Sequence, residues 1–177
     1  MTMEADLQCV APFLEHGVGQ VALIVQDLDR AVECYWKTLR IGPWIFYTYG
    51  KPLVKRMTFR GAQVEYKFRV ALSKIGDTDI ELIELVEGPT IYEEFVEKHG
   101  YGLHHLGLVV EHAAQALAEA RAMGLEVIQS GEGYGVDGDG GYYYLDTEEE
   151  LGMILELVEL PRRRVAPEKV FPAPDTR

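Results

Sequence analysis

Two glutamates stand inside apolar, strand-like stretches of this chain: Glu81 in "IELIEL" (80–85) and Glu156 in "LELVEL" (155–160). Glu is depleted in strands, and an unpaired buried carboxylate is strongly unfavourable, so each calls for a compensating partner. Two more polar residues interrupt apolar runs in the same way, Gln20 in "VGQVALIV" and His105 in "LHHLGLVV". The chemistry they raise is that of compensated charge: two carboxylates, an amide and an imidazole that must meet each other, or a common partner, to be buried.

The elements that must position them occur twice. "VGQVALIVQDLDRAVECYWKTLRI" from Val18 and "LHHLGLVVEHAAQALAEARAMGLE" from Leu103 each read as an apolar strand, a polar break and a helix with apolar residues three and four apart. Further strand candidates follow each helix: "PWIFYTY", "AQVEYKFRVALS" and "DIELIEL" in the first half, "LEVIQS", "GYYYLD" and "GMILELVEL" in the second. The first half is longer, most simply in its middle hairpin. The expected fold is therefore α+β, two βαβββ modules whose sheets enclose a cavity. The expected organisation is an N-terminal extension (1–17), a first module (18–88), a linker helix (89–101), a second module (102–160) and a Pro-rich tail (161–177). Gln20 and His105 occupy equivalent places in the first strand of each module, and Glu81 and Glu156 in the last, so a pseudo-twofold axis would bring all four together.

At these residues the sequence resembles the vicinal oxygen chelate superfamily, also called the glyoxalase/bleomycin resistance protein/dioxygenase superfamily. "GQVALIVQDLDRAVECY", "DTDIELIEL", "GLHHLGLVVEH" and "YYYLDTEEELGMILEL" carry the resemblance, which spans roughly Val18 to Leu160. It implies one divalent metal ion held by the first and last strands of the modules, here by Gln20, Glu81, His105 and Glu156. Such a mixed oxygen and nitrogen set suits Zn, Ni, Co, Mn or Mg. The implied reaction is proton transfer next to a carbonyl through a metal-stabilised enolate, as an epimerase, isomerase or lyase, on a substrate with vicinal oxygens or a thioester.

The stretch "EYKFRVALSKIGDTDIELIEL" is similar to methylmalonyl-CoA epimerases, and that similarity assigns an acid/base role to Glu65. Strand alternation puts Gln63, Glu65, Lys67 and Arg69 on one face, expected to look into the cavity. The Gln, Glu, His, Glu set is similar to that of glyoxalase I, which makes Glu156 a second candidate base. An alternative of another class is a metal-free small-molecule binding protein of the antibiotic-sequestering kind. Trp44, Tyr47 and Tyr49 are candidates to line the pocket, His104 is expected to point away from His105, and the Gly-rich stretch 131–141 reads as a hairpin loop over the cavity mouth.

A net charge of −12 argues against nucleic acid or an anionic membrane as partner. No apolar run reaches the roughly 18 residues of a spanning helix, and the acidic first ten residues do not read as a signal peptide. A cytoplasmic protein is expected, and the resemblance implies a homodimer. Cys9 and Cys34 read as ordinary thiols. The one basic run, Arg162 to Arg164, falls in the tail, expected to lie extended on the surface.

Overall fold

The computed structural model describes residues 11–173. One path is traced twice. In the first half β1 (Gln20–Ile24) leads into α1 (Leu28–Leu39), then β2 (Trp44–Tyr49), a short hairpin of β3 (Arg56–Phe59) and β4 (Ala62–Gln63), β5 (Lys67–Ile75) and β6 (Thr78–Glu87). Helix α2 (Ile91–His99) connects to β7 (Gly102–Val109), α3 (Ala113–Ala122), β8 (Val127–Tyr134), β9 (Gly140–Leu145), α4 (Glu148–Leu151) and β10 (Ile154–Glu159), and β11 (Lys169–Phe171) is the last element of the described residues. All strands join one sheet in the order β11-β2-β5-β6-β1-β7-β10-β9-β8-β3-β4. Within each half the first and last strands run parallel, β1 with β6 and β7 with β10, and the halves meet where β1 and β7 pair antiparallel. This is the expected α+β architecture of two βαβββ modules, with the first and last strands of both modules at its centre.

Helices on the outer face set which side chains turn inward. Asp27 caps α1 by accepting a hydrogen bond from the Arg30 N–H, and Arg40 ends it in the left-handed conformation at φ 59°. Leu28 and Val32 of α1 then bury against Trp44, Phe46, Ala71, Ile80 and Leu82. In the second half the small residues Ala113, Ala116 and Ala120 let α3 pack closely on Leu108, Leu145, Leu155 and Leu157. With those alternate residues committed outward, their neighbours Tyr47, Phe68, Val70, Ile83, Tyr142 and Tyr144 face inward and form a third, largely aromatic cluster between the halves.

Two features cross between the modules. The additional residues of the first half form the β3–β4 hairpin, which pairs with β8 of the second half, Met57 opposite Gly131 and Thr58 opposite Ser130. The tail returns to the first half, where β11 pairs with β2, Lys169 opposite Phe46. Each therefore covers a strand edge that would otherwise lie open. Cys34 is an exposed free thiol, and Cys9 lies outside the described residues.

Candidate active site

The register at the centre of the sheet arranges the four polar residues and two small ones in alternation. Gln20 faces Gly107 across the β1–β7 pair, and Ala22 faces His105. Glu81 lies beside Ala22 in β6, and Glu156 beside Gly107 in β10. Each large polar group thus projects over a neighbour with little or no side chain, and the four converge. The Gln20 amide Nε2 donates to Glu81 Oε2 at 2.8 Å, and His105 Nε2 lies 3.1 Å from Glu156 Oε2 and 3.7 Å from Glu81 Oε2. A Cβ on Gly107 would stand 2.8 Å from Gln20 Cβ and 3.3 Å from Glu156 Oε2, so only glycine leaves the space that the site fills.

His104 does not point away from His105. Between Ala22 and Leu23 the β1–β7 register shifts: Ala22 pairs with His105, but Leu23 pairs with Leu103, leaving His104 as the extra residue of a β-bulge. Bulging breaks the alternation on which the expectation rested. His104 is buried, its Nδ1 lies 2.8 Å from His105 Nδ1, and its ring packs edge-on against Tyr92, Phe95 and Tyr144. It therefore supports the orientation of the His105 ring from behind.

Burial governs the electrostatics. Desolvation first, then the neighbouring Glu156 charge, raises the Glu81 carboxyl well above its ordinary range, with Arg164 acting in the opposite direction. His104 is held well below the usual imidazole value, chiefly by burial and then by His105. Tyr92 and Tyr144, hydrogen-bonded hydroxyl to hydroxyl at 2.7 Å, are raised mainly by burial and stay neutral. The atoms His105 Nε2, Glu156 Oε2 and His104 Nε2 are buried with no hydrogen-bond partner among the described residues. His105 Nε2 and Glu156 Oε2 are thus close without being aligned as a hydrogen bond.

Above this cluster opens a narrow cleft. Gln20, Glu81 and Glu156 form its polar floor; Tyr49, Phe68, Tyr134, Tyr142 and Tyr144 are among its aromatic walls. Tyr47 also lines it, whereas Trp44 turns to the outer face, where its indole N–H donates to the Ile41 carbonyl and its ring meets Tyr35. At the rim Gly135, from the β8–β9 loop, meets Leu160, Pro161, Arg164 and Val165 from the tail. The tail is not simply a surface strand: it forms part of the cavity wall. Residues 161–165 were not legible as such because their contacts depend on the return of β11 to β2.

Glu65 is the site residue that the fold does not bring to the others. It precedes β5 with its side chain 68% exposed and pairs with Lys51. The alternation of β5 holds, but its faces are reversed relative to expectation. Tyr66, Phe68 and Val70 turn into the aromatic cluster, while Arg69 turns out to Asp29 and Glu84. The cavity takes the apolar face because its walls are aromatic, and the outer face beyond α1 is open to water.

The four central residues supply donors suited to a divalent ion, and two of the buried atoms without partners belong to them. By donor type the residues fit such an ion. In this structure, however, they engage each other, and among the described residues no group of three or more His, Cys, Asp or Glu side chains stands in a ready-made ligand arrangement.

Comparison with known proteins accords with this architecture. Residues 19–144 match the family model of the glyoxalase/bleomycin resistance protein/dioxygenase superfamily, and the chain belongs to that superfamily. No curated protein sequence matches it. Among solved structures, a methylmalonyl-CoA epimerase in complex with methylmalonyl-CoA and ammonium is similar at 20% identity and a TM-score of 0.60, covering 83% of this chain and 96% of the other. The methylmalonyl-CoA epimerase of Mycobacterium tuberculosis is similar at 21% identity and a TM-score of 0.60, covering 87% and 94%. A hypothetical protein of Bacillus halodurans is similar at 18% identity and a TM-score of 0.58, covering 84% and 96%. At these identities the likeness establishes the fold. No helix among the described residues is long and apolar enough to cross a membrane.

Proposed function

We propose that the protein is a divalent-metal-dependent enzyme that moves a proton next to a carbonyl, as an epimerase, isomerase or lyase. The observation that carries this reading is the convergence of Gln20, Glu81 and Glu156 on the floor of an aromatic cleft, with His105 packed against the two carboxylates and with His105 Nε2 and Glu156 Oε2 buried without hydrogen-bond partners among the described residues. These four residues would hold the ion. When bound, it supplies Lewis-acid stabilisation of negative charge on the substrate oxygen. Glu156 takes the proton from the carbon next to the carbonyl and returns it. The aromatic walls exclude water from the reacting carbon and bind the apolar body of the substrate. The epimerase complex with methylmalonyl-CoA supports a thioester as one substrate type, and a compound with vicinal oxygens, such as a hydroxyketone, is the other.

A second reading, a metal-free binding protein, is favoured by the hydrogen bond between Gln20 and Glu81 and by the raised Glu81 carboxyl, which together give a cavity floor partly satisfied without an ion. Metal analysis by mass spectrometry on protein purified without chelator separates the two. About one divalent ion per chain, lost in His105→Ala, is expected. Exchange of substrate α-protons in deuterated buffer, screened with acyl-CoA thioesters and hydroxyketones, then tests the chemistry. No ion taken up on titration and no exchange would leave the binding-protein reading. The proposed setting is a cytoplasmic homodimer, checked by light scattering.

A further inference from the structure

The chain carries a net charge of −12, yet the last arginine of its single run of three lies at the cavity rim. The three are not equivalent. Arg162 pairs with Asp139 at 2.7 Å, and Arg163 pairs with Asp137, so both fasten the tail to the β8–β9 loop. The Val136 N–H adds a bond to the Arg163 carbonyl at 2.9 Å. Arg164 makes no ion pair among the described residues and instead lines the cleft, the one cation to do so among them. Its position is fixed from both sides, by Arg163 and by Val165, whose carbonyl accepts a hydrogen bond from the Tyr47 hydroxyl at 3.3 Å. The two arginines before it are engaged in holding the strap, and the third is left over at the rim, exposed to solvent and part of the cleft lining.

We propose that Arg164 is the specificity determinant of the site and selects ligands bearing a carboxylate. This deepens the reading given above and rests on it for the reaction, though not for the binding preference. In the reading given above the floor engages the carbonyl end of the ligand, which leaves the rim for a second polar group. The rim offers a guanidinium able to grip a carboxylate in two-point fashion, and aromatic walls separate the two. The substrate class that matches is a small carbonyl compound with an apolar or aromatic middle and a carboxylate at the end remote from the carbonyl.

The test uses 4-acetylbenzoate and its amide, equal in shape and differing in charge, with affinity read by calorimetry on the full chain. The wild type is expected to bind the acid at least roughly tenfold more tightly than the amide, with the preference falling as salt is added. Arg164→Gln should abolish the preference and Arg164→Lys should retain part of it, while Lys37→Gln, on α1 and outside the cleft lining, should leave it intact. Failure of the acid to bind, equal affinity for acid and amide, or an undiminished preference in Arg164→Gln would each overturn the proposal. Because no turnover is measured, loss of the metal or of α-proton exchange would count against the enzyme reading alone.

Discussion

His105 Nε2 stands 3.1 Å from Glu156 Oε2 in the middle of the sheet, and neither atom has a hydrogen-bond partner among the described residues. Buried polar atoms are rarely left in that condition without a use. Glu156→Gln keeps the volume of the side chain but removes its charge. It is expected to weaken divalent-ion affinity by at least about tenfold and to abolish α-proton exchange, read by ion titration and by deuterium incorporation. Undiminished exchange in this variant would remove Glu156 as the base.

Glu65→Gln is expected to behave differently. Its partner Lys51 is exposed, and exposed ion pairs contribute at most about 1 kcal/mol. Ion content and α-proton exchange should match the wild type, with a stability change of no more than about 0.5 kcal/mol by urea unfolding. A large loss of exchange would mean that residues 64–66 adopt another arrangement with substrate bound.

Gly107→Ala tests the packing that makes room for the site. The added methyl would lie 2.8 Å from Gln20 Cβ, a contact that must be relieved by moving β1 or β7. Overpacking of this kind costs about 1–3 kcal/mol. A lower urea midpoint together with weaker ion binding is expected. Loss of stability with normal ion binding would show that Gln20 can be displaced without consequence for the site.

The repeat made much of this legible. Glu81 and Glu156 interrupt apolar strands at equivalent places, and a twofold arrangement of two modules is enough to bring them near Gln20 and His105. What alternation alone could not supply was the choice of face. For β5 the choice depended on which side the opposite wall makes aromatic, and that wall comes from Tyr142 and Tyr144 in the other half. His104 was misplaced for a local reason, a one-residue bulge that no periodic rule contains. Arg164 needed the longest-range information, the pairing of β11 with β2, because nothing in "PRRRVAPEKVF" distinguishes its third arginine from the first two.

Two buried groups give stability opposite dependences on pH. The native state holds His104 well below its ordinary value of 6.5, so below about pH 6.5 the unfolded chain binds a proton that the native chain refuses, and stability falls as pH falls. Glu81 is raised above 4.5, so the native chain holds a proton that the unfolded chain releases, and its contribution is lost as pH rises from 4.5 towards the native value. In chelator, His104→Gln should therefore lower the slope of unfolding free energy against pH between 5 and 6.5, by up to about 1.4 kcal/mol per pH unit, and Glu81→Gln should raise it. Urea unfolding at half-unit pH steps reads both, and equal slopes in all three proteins would contradict the burial of these groups.

The docking of the tail is open to a direct test by truncation after Leu160. In the intact chain the Thr48 N–H and hydroxyl both donate to the Glu168 carboxylate at 2.9 Å, Lys169 pairs with Asp29, and its ammonium lies 4.7 Å from the centre of the Phe46 ring. Lys169 and then Arg69 hold the Asp29 carboxyl below its usual range, which ties the tail to α1 and β5 together. Because these contacts are largely exposed, their combined contribution is modest. A loss of about 1–2 kcal/mol is expected, seen as a fall in Tm of roughly 2–8 °C. The more telling readout is amide hydrogen exchange in β2. Its outer edge loses the β11 partner, so the Phe46 backbone should lose protection while that of β6, at the centre of the sheet, keeps it. Unchanged protection at Phe46 would show that the tail does not occupy the edge in solution, and with it the placement of Arg164 at the rim would fail.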